Sequence, residues 1–328
     1  VDRVESEVSA DSARGVHFAA GMLLLGTLFW GCGFTWAKAA IAAINSSVRV
    51  DSEATFGAVF SLAVRFAVAA VLWPIIFPAA RRGWTWRGAL RCIWIGLLLA
   101  ASLVVQHVGL ERTSESVSAF LTSLTVLFVP ILLTVVARRP PRTVLWIGVL
   151  LATAGVWLMT GAQPSGFGTG EVLGLACAAG FSVYILAINS AARIEDPWRL
   201  TLGQFAVVAI ICFVMCFFLP GGRVMRDPRA LARIVVLPGV GWNLLLLSLL
   251  TTMAAFGLLT HFQPQLEPTR ATLIYLMEPV IAAMYAAAAA GHVIGPVAIA
   301  GAALILCANL FVELAGRVIG DWNVTGKR

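Results

Sequence analysis

A glutamate followed by a proline stands in the middle of residues 266–290, LEPTRATLIYLMEPVIAAMYAAAAA, a stretch otherwise apolar enough to cross a bilayer. A carboxylate at that depth costs roughly 2.5–3.5 kcal/mol even on insertion-derived scales. Pro279 also removes a backbone donor and disturbs the helix ladder. A chain that tolerates both at one point must bury that face against other helices or line a wet space with it. Glu278 could then pair with a cationic group or exchange protons, or it could mark a structural kink. Arg65 lies about ten residues into another apolar stretch, where an arginine should face the protein interior and find a carboxylate or a carbonyl. Lys38 sits near the end of the first apolar stretch and is expected to snorkel to the interface. His107 and His261 end two further stretches. A histidine titrates near physiological pH, so each could couple a process to protons, or simply terminate a helix. Gln106 is a hydrogen-bonding ligand if it faces a cavity.

Other chemistries find no support. There is no Walker-type phosphate loop, no His-Glu-x-x-His pattern and no nucleophile elbow. No catalytic residue, cofactor or metal site is expected. The six cysteines, Cys32, Cys92, Cys177, Cys212, Cys216 and Cys307, lie in apolar runs or at their edges. Without paired zinc spacing they read as small buried apolar residues.

The elements that must position these residues are membrane spans. Of 328 residues, 60% are hydrophobic and 12% charged, against about 25% charged in a soluble domain. Mean hydropathy is +0.91. The net charge of +7 is spread through short loops, so nucleic acid is not an expected partner, whereas membrane lipid is. Ten apolar segments approach the roughly 20 residues a helical span needs: 17–41, 56–78, 88–109, 114–137, 143–161, 170–191, 200–219, 241–263, 269–290 and 295–315. Residues 1–16 are polar, lack the pattern of a cleavable signal, and are expected to form an irregular tail. The middle of 220–240 is expected to form a short interfacial helix. Trp84 and Trp86 beside Arg81 and Arg82 suit the interface.

The basic residues orient the bundle. With the N-terminus inside, Arg49, Arg112, Arg223, Arg226, Arg229 and Arg233 fall on outer segments and Lys38 and Arg65 within spans, leaving fifteen of the 23 Lys and Arg inside. Both termini are therefore expected in the cytoplasm.

The chain also repeats itself. Shifted by 153, Val144, Gly148 and Leu151 fall on Val297, Gly301 and Leu304, and 116–121 falls on 269–274. Shifted by 151, Trp30-Gly31-Cys32-Gly33 falls on Phe181-Ser182-Val183-Tyr184. Each half, 17–161 and 170–315, then holds five spans, flanked by tails 1–16 and 316–328. An odd number of spans makes the second half enter from the opposite side. The expected fold is an all-α membrane protein of ten helices in two inverted repeats around a central cavity.

At this point the sequence resembles the EamA-type transporters of the drug/metabolite transporter superfamily. The resemblance runs from about residue 17 to 315. It rests on Leu28-Phe29-Trp30-Gly31-Cys32-Gly33-Phe34, Ala63-Val64-Arg65-Phe66, Ala119-Phe120-Leu121-Thr122 with Val129-Pro130, Phe181-Ser182-Val183-Tyr184, Pro268-Thr269-Arg270-Ala271, Leu276-Met277-Glu278-Pro279-Val280 and Gly301 with Leu304-Ile305. It implies a multi-pass inner-membrane carrier that exports amino acids or related small metabolites. It also implies substrate-lining residues on spans 1, 3, 4, 6, 8 and 9. The candidates there are Trp30, Phe34, Gln106, His107, Thr125, Tyr184, Phe256 and Tyr275. Lys38, Arg65, His261, Glu278 and Pro279 are expected to serve gating or structure. Because the Glu-Pro pair recurs in the family pattern whatever the substrate, Glu278 is read as framework. Gln106-His107 and 260–263 depart from the pattern, so substrate specificity does not carry over. Protons are a candidate coupling ion and a homodimer a candidate assembly. The alternatives are a membrane-embedded enzyme and a non-transporting membrane subunit.

Overall fold

In the computed structural model the described residues are 2–48, 55–113, 115–135, 143–160, 168–290 and 295–318. They form α1 (Asp2–Val48), α2 (Phe56–Ile76), α3 (Trp86–Arg112), α4 (Glu115–Ser123), α5 (Thr125–Val135), α6 (Thr143–Thr160) and α7 (Thr169–Ala191). There follow α8 (Pro197–Phe218), α9 (Pro228–Val236), α10 (Pro238–Leu246), a π-helical segment (Leu247–Ala254), α11 (Ala255–Phe262), α12 (Pro268–Tyr275), α13 (Met277–Ala290) and α14 (Pro296–Val318). No strand occurs among the described residues. Among the described residues eight stretches are long and apolar enough to cross a membrane, and two apolar windows are shorter, Thr143–Gly155 in α6 and Ile299–Val312 in α14.

Local chemistry sets many of the boundaries. Thr85 caps α3 by accepting from Gly88 N at 3.0 Å. Asp196 caps α8, accepting from Trp198 N and Arg199 N at 2.9 and 3.2 Å with Pro197 at the first helical position. Such caps satisfy backbone donors that a helix start leaves open. The short helix expected in 220–240 is α9, capped by Asp227. Its Ile234 packs inward while Arg229 and Arg233 are exposed.

Three expected spans are not single helices. Span 4 breaks at Leu124, between α4 and α5, and span 9 breaks at Leu276, between α12 and α13. Both breaks are the same tightened step: Leu124 N bonds to Leu121 O at 3.2 Å and Leu276 N to Leu273 O at 3.1 Å. At span 9 the cause is Pro279, which has no N–H for the carbonyl of Tyr275 and crowds it. Span 8 passes through the π segment, which widens the helix and redirects backbone carbonyls. A further correction concerns the N-terminus. Residues 2–16, expected to be irregular, continue α1, since nothing in DRVESEVSADSARGV before Gly15 breaks a helix. Arg270, counted above with a loop, is buried on α12.

The packing pairs equivalent elements of the two halves. α2 lies against α8, and α6 against α14. α1 packs on α13 as α7 packs on α4 and α5, and α3 packs on α7 as α10 and α11 pack on α1. Large apolar residues such as Val71, Trp94, Ile210, Leu150 and Leu310 point outward, as expected where the solvent is hydrocarbon. The main core gathers Phe56, Phe60, Phe66, Tyr184 and Phe205. Close approach of α6 and α14 depends on Gly155, where an added Cβ would lie 2.7 Å from Gly301 O and 2.9 Å from Ile305 N. Backbone atoms cannot move aside as a side chain can. Gly155→Val is therefore expected to destabilise the protein by about 1–3 kcal/mol, read as a lower midpoint of thermal unfolding in detergent. An unchanged midpoint would show that the helix pair is not close-packed there.

Candidate substrate cavity

A cavity of about 90 Å³ lies among α1, α2, α3, α4, α5, α7, the π segment, α11, α12 and α13. All eight residues expected to contact substrate, Trp30, Phe34, Gln106, His107, Thr125, Tyr184, Phe256 and Tyr275, line it. Arg65 and Glu278 line it too. Pro279, His261 and Lys38 do not.

One wall is aromatic. Trp30 meets Phe256 and Tyr275 edge-on, with ring centroids 5.2 and 5.6 Å apart. Tyr184 meets Phe256 edge-on at 6.5 Å. Each polar tip is tied back into the protein. Trp30 Nε1 donates to Thr251 O at 3.0 Å, a carbonyl within the π segment. Tyr184 OH donates to Gln204 Oε1 at 2.8 Å, and Gln204 Nε2 donates to Thr260 Oγ1 at 3.0 Å. Tyr275 OH donates to Gln263 Oε1 at 2.8 Å, while Gln263 Nε2 donates to Ile185 O at 3.0 Å. The wall therefore presents ring surfaces and little hydrogen-bonding capacity. α1 reaches this position because Gly31 has no side chain: a Cβ there would lie 2.7 Å from Ile281 and 3.0 Å from Glu278 O.

The opposite lining is polar. Gln106 Nε2 donates to Thr122 Oγ1 at 3.1 Å. Thr125 Oγ1 donates to Thr122 O at 2.6 Å. His107 Nδ1 sits 3.0 Å from Leu103 O, and its Nε2 is buried with no partner. Arg65 is 4% exposed. Its guanidinium lies 5.3 Å from the Phe66 ring, and its Nε has no hydrogen-bond partner. Among the described residues no carboxylate pairs with Arg65 and no cation pairs with Glu278. The two do not pair with each other, yet both border the same space.

The remaining sequence candidates lie at the two ends of the bundle. Lys38 does not simply snorkel: its Nζ donates to Thr113 O at 3.0 Å, tying α1 to the end of α3. His261 packs against Trp198 and Phe262 with centroids 5.3 and 5.0 Å away, and its Nδ1 is buried without a partner. It belongs to an aromatic cluster with Trp73 and Phe77, not to the cavity. At that same end Arg91 and Glu195 form an ion pair. Four cysteines are buried, Cys32 is partly buried and Cys307 exposed, and all are free thiols.

Sequence reasoning missed Thr122, Ser123, Thr251, Thr272 and Phe181, which also line the cavity, and the buried glutamines 204 and 263 behind the tyrosines. The glutamines carried a readable signal, since a fully buried amide within an apolar span needs a partner.

Apolar helices around a space lined by a few polar groups are the arrangement of a small-molecule site inside a membrane protein. The comparisons agree. The chain matches the model of the EamA-like transporter family over residues 17–161 and 168–314, and it belongs to that family, with its two-repeat architecture. It is 26% identical to an uncharacterized transporter of Archaeoglobus fulgidus over 316 residues, covering 96% of this chain and 91% of that one. A solved crystal structure of a protein shares the fold, with a TM-score of 0.65 at 17% identity over 92% of this chain and 99% of that one. The protein is thus a multi-pass membrane protein of the transporter class.

The tyrosine tethers give a direct test. Tyr184→Phe leaves Gln204 Oε1 without its donor in a buried site, and Gln204→Leu strands the hydroxyl. In a double-mutant cycle on thermal stability the pair is expected to couple by about 1 kcal/mol, within the range for buried hydrogen bonds between membrane helices. Additive effects would show that the two groups do not hold each other.

Proposed function

We propose that this protein is a secondary carrier that exports amino acids or related small zwitterionic metabolites by alternating access. The observation that carries this reading is the presence of Arg65 and Glu278, one cation and one anion, in a single cavity where, among the described residues, neither has a protein partner of opposite charge. An α-amino acid supplies both missing partners. Its carboxylate matches the guanidinium fork of Arg65, its ammonium matches Glu278, and its side chain meets the aromatic wall.

The same geometry supplies a reason for coupling. Closing an empty cavity around two unpaired charges in low dielectric is unfavourable, whereas a bound zwitterion compensates both. Occlusion then proceeds more readily with substrate than without it. A proton on Glu278 would neutralise the acid on the empty return step, which makes protons the candidate coupling ion. The repeats, 17–161 and 170–315, would rock about the broken spans 4 and 9, the pseudo-symmetric pairing of α1–α13 with α7–α4/α5 being the support for two interchangeable halves. In this reading ten helices cross a bacterial-type cytoplasmic membrane with both termini inside, as the arginine distribution favours. The direction of transport follows the family resemblance. Glu278 changes role here, from shared framework to a group that touches the substrate.

Counterflow into liposomes holding the purified protein tests this. Wild type is expected to exchange a labelled mixture of the protein amino acids. Arg65→Gln and Glu278→Gln each remove one charge-assisted contact of about 1.5–3 kcal/mol and should lower exchange tenfold or more. No exchange by wild type would sink the substrate assignment. Exchange by wild type that both variants retain would sink the roles of the two charges.

A further inference from the structure

A second cavity, of about 300 Å³, opens where α1 ends and α3 ends. It shares one lining residue, Leu110, with the central cavity. Its polar lining is again one cation and one anion, Lys38 and Glu111, with Asn45 and Ser46 beside them. These groups are held in place by their neighbours. Asn45 is used from both ends: its Oδ1 accepts from Gly57 N at 2.9 Å and its Nδ2 donates to Glu111 Oε1 at 2.5 Å. That leaves Glu111 Oε2, which is buried and has no partner. Lys38 Nζ has three donors and gives one to Thr113 O. Among the described residues Lys38 and Glu111 form no ion pair. The negative end of α3 adds attraction for a positive group beside Glu111.

We propose that this outer cavity is a second binding site for the zwitterionic substrate, in series with the central one. Glu111, whose buried and unpartnered Oε2 would have to turn toward the cavity, takes the ammonium and Lys38 takes the carboxylate, while Asn45 positions Glu111. The proposal rests on the reading of the central cavity as a zwitterion site, because it assigns the same ligand class to both. Two sites in series, with Leu110 on the wall of both, would let substrate lose its water in two stages.

Saturation binding of a radiolabelled mixture of the protein amino acids to the purified full-length chain counts the sites. Wild type is expected to hold two per chain. Ser46→Trp fills the outer cavity from an exposed position and should leave one. Glu111→Gln should also leave one, and Ser46→Trp carries the test if that variant does not fold. Arg65→Gln should leave one, and Arg65→Gln combined with Ser46→Trp none. A single wild-type site that Arg65→Gln abolishes and Ser46→Trp spares would overturn the outer site while the central reading stands. A single site that Ser46→Trp abolishes and Arg65→Gln spares would support the outer site and remove the central one. Absence of binding by wild type would overturn both.

Discussion

A charge buried in a bilayer must face an interior space that can compensate it, and this condition shapes the molecule. Arg65 on α2 and Glu278 on α13 come from opposite halves of the chain. Neither finds an opposite charge in the protein among the described residues. Lipid cannot solvate them, so both must open on a common cavity, and the helices that carry them must surround it. The outer surface can then be almost entirely apolar, with Val71, Trp94 and Leu310 turned outward. The remaining polar tips near the cavity, the hydroxyls of Tyr184 and Tyr275 and the indole nitrogen of Trp30, are bonded to the surrounding helices. Of the polar atoms lining the cavity, Arg65 Nε and His107 Nε2 are buried without a hydrogen-bond partner among the described residues.

The broken helices serve the same arrangement. α4/α5 and α12/α13 break at equivalent places in the two halves, each through one tightened turn. The two breaks share geometry and differ in chemistry. Thr125 stands beside the first, bonding its hydroxyl to Thr122 O, while Glu278 stands beside the second, with no cation paired to it among the described residues. Symmetric backbone with asymmetric side chains is what a carrier needs if its halves exchange roles while its substrate keeps two distinguishable ends. The π segment adds a third irregularity, and there a carbonyl, Thr251 O, becomes the anchor for Trp30.

Much of the site was legible before any coordinates. The eight residues expected to touch substrate converge on one cavity because the family resemblance had already placed them on cavity-lining spans. Lys38, expected to snorkel or to serve gating or structure, gives its Nζ to Thr113 O and so ties α1 to the end of α3. The N-terminal stretch was misjudged because polarity was read as irregularity, although polar residues extend a helix readily once a span has nucleated it. Reading Glu278 as framework followed from a recurring dipeptide. That pattern accounts for Pro279, which breaks the helix, and is silent on where the neighbouring carboxylate points.

Hydropathy along the chain is enough to determine that the protein lives in a bilayer and where most of its apolar helices run, and residues recurring at a fixed shift show that its halves repeat. These properties are one-dimensional: a segment's cost of insertion depends on its own residues and hardly on its neighbours. Only the tertiary structure decided which faces turn inward, because spans apolar on nearly every side carry little signal of direction. It brought Arg65 and Glu278 to one space, bound Tyr184 and Tyr275 to buried glutamines, and set Lys38 and Glu111 across a second cavity. Each of these pairings joins helices distant in sequence, and the hydrogen bonds and unmet charges that define them exist only once the helices have packed.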